Sequence, residues 1–375
     1  MKIAFFTASR ADYGKIKPVI LEAKKKRINF KIFATGSHLI NEYGKTINQI
    51  LRDFGKKKII SFSNQKFGDN HQTIFKNTVS SFTKVLKNQI FDCFFIHGDR
   101  IETLAAASVL TFSKIKIAHI EGGELSGTVD EMIRHSVSKL SHIHFVTNKA
   151  AKKVLINSGE DKRNIFITGS PDIDFLKRSF RPSIKEVKKK YGINFEDYSI
   201  SFLHPVTTNT RIQNKKNAEI YFKTLANLKK IRIIQFAPNN DDHSLVILKT
   251  MKKKLSKKPN VKFLKSMRFE FYLTLLENCQ FIIGNSSSAI MEAPYFNIPA
   301  INIGERQINR FGVNKVINTS FNSVNIIKAI KTIKRKKINF KPIFGKGDSS
   351  KKIINIIKTN KFKKLHIQKL YKNLK

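Results

Sequence analysis

FDCFFIHGDRIETLAAASVLTFSKIKIAHIEGGE, residues 91–124, is the stretch whose reading decides the fold. Residues 91–98 form an apolar run of strand length, 101–113 carry helical spacing, and 116–120 are a second apolar run. Strand, helix and strand in so short a space make a crossover unit, which predicts parallel pairing. Neither run alternates with polar residues, so both strands are expected to be covered on two faces. The same alternation extends outward on both sides. Strands are predicted at 2–7, 30–35, 142–146 and 164–169, with helical spacing at 14–27, 38–54, 70–88 and 128–141. The pattern lapses over 172–197 and restarts with strands at 198–203, 231–237, 261–264, 279–284 and 299–303. The expected fold class is therefore α/β, with two doubly wound Rossmann-like domains facing a cleft. Their expected bounds are 1–175 and 176–355, followed by a C-terminal helix over 356–375 that packs back on the first domain.

Composition narrows the function classes. The chain has 375 residues, 41% of them hydrophobic, enough for two domains with cores of their own. No run of 18 apolar residues occurs, and MKIAFFTASRADYGK (1–15) is too short in its apolar part for a secretory signal, so no membrane span is expected. Cys93 and Cys279 sit in separate apolar runs, as buried reduced thiols of a cytoplasmic protein would. Lys and Arg outnumber Asp and Glu by 71 to 27, a net charge of +44. The lysines are spread along the whole chain instead of gathering on one element. That reads as a solvated surface with some attraction for anions, and no specific nucleic-acid partner is expected.

Against that basic background, HIEGGELSGTVDEMIRHSVSK (119–139) collects four carboxylates and two histidines within 17 positions. Open α/β sheets bind ligands beyond the carboxyl ends of their strands. Polar clusters fall at just such places: SRADYGK, GSHLINEYG, HGDR and EGGE in the first half, and HPVTT, APNNDD, GNSSS and GERQ in the second. Glu121 follows a predicted strand, Asp130 opens a predicted helix with Arg134 and His135 one turn on, and Asp99 is either a helix cap or a third acid of the same wall. Crowded acids in a partly dry site suit acid and base chemistry. His38, His97, His119, His135 and His204 are candidate donors to a leaving group or to sugar hydroxyls. Ser286 and Ser287 stand at a predicted helix start, as an ordinary cap or as a diphosphate site. Arg10, Arg100 and Arg306 are placed to reach phosphate oxygens. Neither GxGxxG nor a P-loop is present, and no zinc-binding spacing appears.

With these motifs in place, the chain resembles the hydrolysing UDP-N-acetylglucosamine 2-epimerases of sialic- and nonulosonic-acid biosynthesis, including the epimerase half of the animal bifunctional epimerase/kinase. The block HIEGGELSGTVDEMIRHSVSKLSH is the most specific part, and SRADYGK, GSHLINEYG, HGDR, GSPD, HPVTT, GNSSS and GERQ extend the likeness from end to end. The resemblance implies a glycosyltransferase-B-like fold. It also implies elimination of UDP to a 2-acetamidoglucal, followed by addition of water with inversion at C2, with no metal and no cofactor. It matches Asp99, Glu121 and Asp130 to the catalytic acids. Arg10, Arg100, His204, Asn239, Ser286, Ser287, Glu292 and Arg306 match the nucleotide-binding positions. Two departures stand out: Gly14, where the animal enzyme has a serine near the uridine, and the APNNDD loop, where relatives have PNxDxG.

The family likeness leaves the substrate open between UDP-N-acetylglucosamine and the UDP- or GDP-linked 2,4-diacetamido sugar of legionaminic-acid synthesis. It implies a homodimer or homotetramer. A retaining glycosyltransferase on the same scaffold is one rival, for which the acids around Glu121 are surplus; a non-hydrolysing 2-epimerase is a nearer one, and a nucleic-acid-binding protein is a rival motivated by the charge alone.

Overall fold

The computed structural model describes residues 1–176, 181–313, 316–333 and 343–369. They divide into two compact units. The first comprises Met1–Glu124, Asp130–Lys177 and Ile343–Lys375, and the second Leu125–Val129 and Arg178–Pro342.

The first unit is built on a 7-stranded sheet of β1 (Lys2–Thr7), β2 (Asn29–Ala34), β3 (Ile59–Ser61), β4 (Cys93–His97), β5 (Lys116–Ile120), β6 (Ile143–Val146) and β7 (Ile165–Ile167). Its order is β3-β2-β1-β4-β5-β6-β7, and the β1–β2 and β1–β4 pairs that flank its centre are parallel. Helices alternate with these strands: α1 (Arg10–Lys25), α2 (Ile47–Phe54), α3 (His71–Leu86), α4 (Ile101–Thr111), α5 (Val129–Leu140) and α6 (Lys149–Asn157). Five of the six β1 residues are buried, which is the apolar run seen in the sequence put to use between two helical layers. Phe5 stacks on Phe95 across the β1–β4 pair, with ring centroids 4.9 Å apart.

The second unit repeats the plan with a 6-stranded sheet of β8 (Ser199–Phe202), β9 (Ile233–Phe236), β10 (Val261–Leu264), β11 (Ile282–Gly284), β12 (Ala300–Ile303) and β13 (Ile317–Thr319), ordered β10-β9-β8-β11-β12-β13. Its helices are α7 (Ile184–Tyr191), α8 (Arg211–Ala226), α9 (Ser244–Leu255), α10 (Phe269–Glu277), α11 (Ser288–Met291) and α12 (Ser323–Thr332). The fold is thus α/β with two doubly wound parallel sheets.

Three differences from the sequence reading have local causes. Helix α1 begins at Arg10, not 14, because Ser9 and Asp12 form a capping box that fixes the turn after β1. The helix expected over 38–54 is broken into two 3₁₀ turns, Gly36–Leu39 and Asn41–Tyr43, before α2 begins. The break lies at Ile40, whose backbone is extended between the two turns, and at Gly44, whose φ of 92 ends the second. Strands β3 and β13, each three residues long and at a sheet edge, are not expected from the sequence.

The C-terminal segment forms α13 (Ser349–Ile357) and α14 (Asn360–Lys363) within the first unit, where Ile353, Ile354, Ile357 and Phe362 join the core around Ile16, Val19 and Ile20. Of the helix expected over 356–375, residues 370–375 lie outside the described residues.

One glycine makes a sharp stability prediction. Gly284 ends β11 at φ 133, and a Cβ there would lie 1.6 Å from the Phe202 carbonyl oxygen of β8. Backbone on both sides cannot yield. Gly284→Ala is expected to cost at least about 3 kcal/mol, read as a lower denaturant midpoint at unchanged slope.

Candidate active site

Each sheet reverses its winding once, between β1 and β4 in the first unit and between β8 and β11 in the second. That reversal opens a crevice at the carboxyl ends of the two strands, the usual ligand site of an open α/β sheet. Most of the residues singled out in the sequence stand at or next to these points.

In the first unit Arg10 is the first residue of α1, directly after β1, and Gly14 is one turn further along the same helix. His97 is the last residue of β4, followed by Asp99 and Arg100. Arg100, not Asp99, occupies the N-cap of α4, so the capping role left open for Asp99 does not apply. The Asp99 carboxylate instead pairs with the guanidinium of Arg134. Arg134 is almost fully buried, and its Nη1 donates to the Glu124 carbonyl at 2.7 Å. Burial opposes the charge on Arg134, but the fields of Asp99, Glu124 and Asp130 outweigh it and raise its pKa. Asp130 and His135 lie on either side of Arg134 along α5. Burial and the neighbouring Arg134 push the His135 pKa down.

Glu121 directly follows β5 with φ 65, a left-handed conformation uncommon for a residue with a side chain. Gly123 (φ 77) then turns the chain against α6, where a Cβ would meet the Ala151 carbonyl oxygen at 2.3 Å. The double glycine is therefore what lets the acid loop lie flat on its neighbours. The buried Glu121 carboxylate faces His97 Nε2 at 3.2 Å and Lys15 Nζ at 3.5 Å, and accepts a hydrogen bond from the Ser170 hydroxyl. Burial alone would push its pKa up; Lys15 and then His97 reverse the sign and hold it well below the usual carboxylate range. Glu121 is ionised at neutral pH.

His38 is fully buried, with Nε2 2.8 Å from Thr7 Oγ1 and Nδ1 2.7 Å from Thr46 Oγ1. Burial lowers its pKa to about 4, so the ring is neutral and braces the β1 loop. Both of its nitrogens are already engaged, in contrast to the sugar-facing donor expected from the sequence.

The second unit gathers its groups around Asn285, which follows β11. Its side chain makes two 2.8 Å hydrogen bonds to the His204 backbone, tying together the loops after β8 and β11. The Asn239 N–H donates to His204 Nδ1 at 3.0 Å, which assigns the ring proton to Nε2. Burial, with Arg306 adding to it, lowers the His204 pKa to about 3, so this Nε2–H belongs to a neutral ring. Arg306 donates to the Asn285 carbonyl at 3.3 Å and lies 3.5 Å from Asp241. Ser286 and Ser287 precede α11, and Glu292 is buried just beyond it. The helix expected to start here is a single turn that passes into a 3₁₀ turn (Ala293–Phe296), with Pro294 at its start.

Sequence reasoning passed over Lys15, Ser170, Asp172, Asn285 and Asp241. Lys15 and Asp172 lie inside the motifs SRADYGK and GSPD, but a lysine among 71 basic residues carries no signal by itself. Among the described residues, no group of three or more His, Cys, Asp or Glu could hold a metal ion, and no helix is long and apolar enough to cross a membrane.

Two doubly wound units, each with polar side chains at its switch point, define an α/β protein of the glycosyltransferase-B-like fold. The comparison with solved structures agrees: UDP-GlcNAc 2-epimerase from Methanocaldococcus jannaschii superposes with a TM-score of 0.80 at 23% identity, over 95% of this chain and 99% of that one. The sequence profile of the UDP-N-acetylglucosamine 2-epimerase family matches residues 21–358, and the chain belongs to that family. A UDP-N-acetylglucosamine 2-epimerase of Neisseria meningitidis serogroup B is 41% identical over 332 residues, 88% of this chain and 86% of the relative. A hydrolyzing UDP-N,N'-diacetylbacillosamine 2-epimerase of Legionella pneumophila is 33% identical over 369 residues, 96% of each.

Proposed function

We propose that the protein is a hydrolysing 2-epimerase that converts UDP-N-acetylglucosamine to free N-acetylmannosamine and UDP. The observation that carries this reading is the Glu121 loop: a buried, ionised carboxylate at a strand end, with Asp99 and Arg10 at the adjacent switch point. A nucleotide-sugar transferase has no use for that acid, whereas an elimination needs a group to take the C2 proton as the C1–O bond to UDP breaks. In this reading Glu121, Asp99 and Asp130 handle proton transfer and the positive charge that develops at C1. Arg10, Arg100, His204, Asn239, Ser286, Ser287, Glu292 and Arg306 hold the nucleotide. His204 offers a neutral Nε2–H donor, suited to a hydroxyl or phosphate oxygen at any pH above its lowered pKa.

A second reading, the same reaction on UDP- or GDP-N,N'-diacetylbacillosamine, is favoured by the relatives that bear that name at 33% and 32% identity. The 41% relative supports the N-acetylglucosamine reading. Incubation with each of the three nucleotide sugars, with no acceptor and with NMR detection of free sugar, tests the choice. Free N-acetylmannosamine from UDP-N-acetylglucosamine alone is the expected product. A transferase releases little free sugar, and a non-hydrolysing epimerase returns the sugar still attached to UDP.

Arg306→Ala and the double change Ser286→Ala/Ser287→Ala are expected to weaken UDP binding about tenfold to a hundredfold, the loss that goes with a charge-assisted hydrogen bond. Titration calorimetry with UDP reads it directly. Unchanged affinity in both variants removes these residues from the nucleotide site.

A further inference from the structure

Asp172 lies on the 3₁₀ turn Pro171–Leu176 after β7, and its side chain is fully buried. One carboxylate oxygen pairs with the Lys15 ammonium and the other accepts from the Ser170 hydroxyl. The same two groups also face Glu121: Lys15 Nζ lies 3.5 Å from Oε1, and Ser170 is within hydrogen-bond reach of that oxygen. Two buried carboxylates thus share one cation and one hydroxyl. A hydroxyl has a single hydrogen and can satisfy only one acid at a time. The ammonium offsets the repulsion between the two carboxylates and, with His97, holds the Glu121 pKa down.

The Asp172 side of this arrangement is locked in place. The Ser170 N–H donates to the Phe344 carbonyl at 2.6 Å, and the Ser349 hydroxyl donates to the Ser170 carbonyl at 3.1 Å. Asp174, on the same turn, accepts from the Ser349 and Ser350 N–H groups at 2.9 and 2.8 Å, fastening the turn to the start of α13. Lys15 reaches the cluster from α1 on a long flexible stem, so Asp172 is the fixed end of the pair and Lys15 the part it holds.

We propose that Asp172 and Lys15 are positioning residues for Glu121: Asp172 fixes the Lys15 ammonium, and that ammonium keeps Glu121 ionised and aimed during turnover. The inference rests on the reading of Glu121 as a catalytic acid. The groups that face Glu121 are Lys15 from α1, His97 from β4, Ser170 from the turn and, across Lys15, Asp172. The sign follows from the charges. Without the cation, Glu121 loses the charge that lowers its pKa and keeps the nearby Asp172 carboxylate, so the pH below which activity fades moves up. Removing the Asp172 charge as well relieves the repulsion between the two carboxylates and moves it back down.

The experiment measures the pH dependence of kcat for free-sugar release by the full chain, its Lys15→Met, Lys15→Gln, Lys15→Arg and Asp172→Asn forms, and the Lys15→Met/Asp172→Asn double variant. UDP affinity serves as the check on folding. The two neutral variants at position 15 are expected to shift the acid limb up by about one pH unit or more, with UDP affinity within about twofold. Lys15→Arg keeps the parental limb, and the double variant returns part of the way to it. If Lys15→Met fails to bind UDP, Lys15→Gln carries the same expectation, paired with its own Asp172→Asn double variant. An acid limb in both neutral variants that coincides with the parent's, or a double variant no different from its Lys15 single, overturns the inference. Full activity in Glu121→Gln instead overturns the underlying reading, so the two failures are told apart.

Discussion

Glu121→Gln is expected to reduce kcat for free-sugar release by at least about a hundredfold while leaving UDP affinity unchanged, as loss of a general acid or base commonly does. The substitution keeps the shape and removes the charge. The left-handed backbone at residue 121 and its N–H bond to the Phe145 carbonyl (2.9 Å) do not depend on the carboxylate, so the loop should persist. What is lost is the negative charge that faces Lys15 and His97. Asp130→Asn is expected to show a loss of the same order. Asp99→Asn should differ in one respect. Its carboxylate is the counter-ion of the buried Arg134, and an amide in its place leaves a guanidinium poorly matched inside the first unit. A stability loss of about 1–3 kcal/mol should accompany the kinetic one, less than for a fully buried pair because Asp99 is partly exposed. Thermal melts beside the kinetics separate the two: Glu121→Gln should melt near the parent temperature and Asp99→Asn below it. Near-parental turnover in Glu121→Gln would take that residue out of the chemistry.

The contrast between these acids also shows what the sequence made legible. Glu121 stands out as a candidate because a carboxylate after a five-residue strand, followed by two glycines, is hard to explain as either core or surface. The strands themselves could be read because parallel strands buried on both faces leave continuous apolar runs such as CFFIH. Partnerships were another matter. Asp99 and Arg134 are 35 positions apart, and nothing local to either sequence segment says that one neutralises the other. Lys15 and Asp172 meet only because β1 and β7 place α1 and the turn after β7 against the same core. His38 makes the same point: its residue type and strand-end position suggest a ligand contact, and nothing local to it announces that its ring lies between Thr7 and Thr46. Residue type and spacing locate a site along the chain, but the pairing within it is a property of the packed fold.

In D₂O the released sugar is expected to carry one deuterium at C2 in essentially every molecule, the largest effect this reading foresees. A carboxylate that takes the C2 proton of the substrate exchanges it with solvent before the double bond of the glucal is protonated again, on the opposite face, to give the inverted centre. In H₂¹⁸O the label should enter the sugar at C1 and stay out of UDP, because the bond that breaks is C1–O and water supplies the new anomeric oxygen. Phosphorus NMR of the nucleotide reads the second point without interference from slow anomeric exchange of the free sugar. Simple hydrolysis at phosphorus predicts the reverse on both counts: ¹⁸O in UDP, with hydrogen and configuration at C2 untouched. A non-hydrolysing epimerase shares the C2 exchange but leaves the sugar on the nucleotide, so deuterium in free N-acetylmannosamine distinguishes all three. Retention of protium at C2 would sink the elimination, and with it the role given to Glu121. The field around that residue would then need another purpose, because an ionised carboxylate buried between a lysine and a histidine is costly to keep without one.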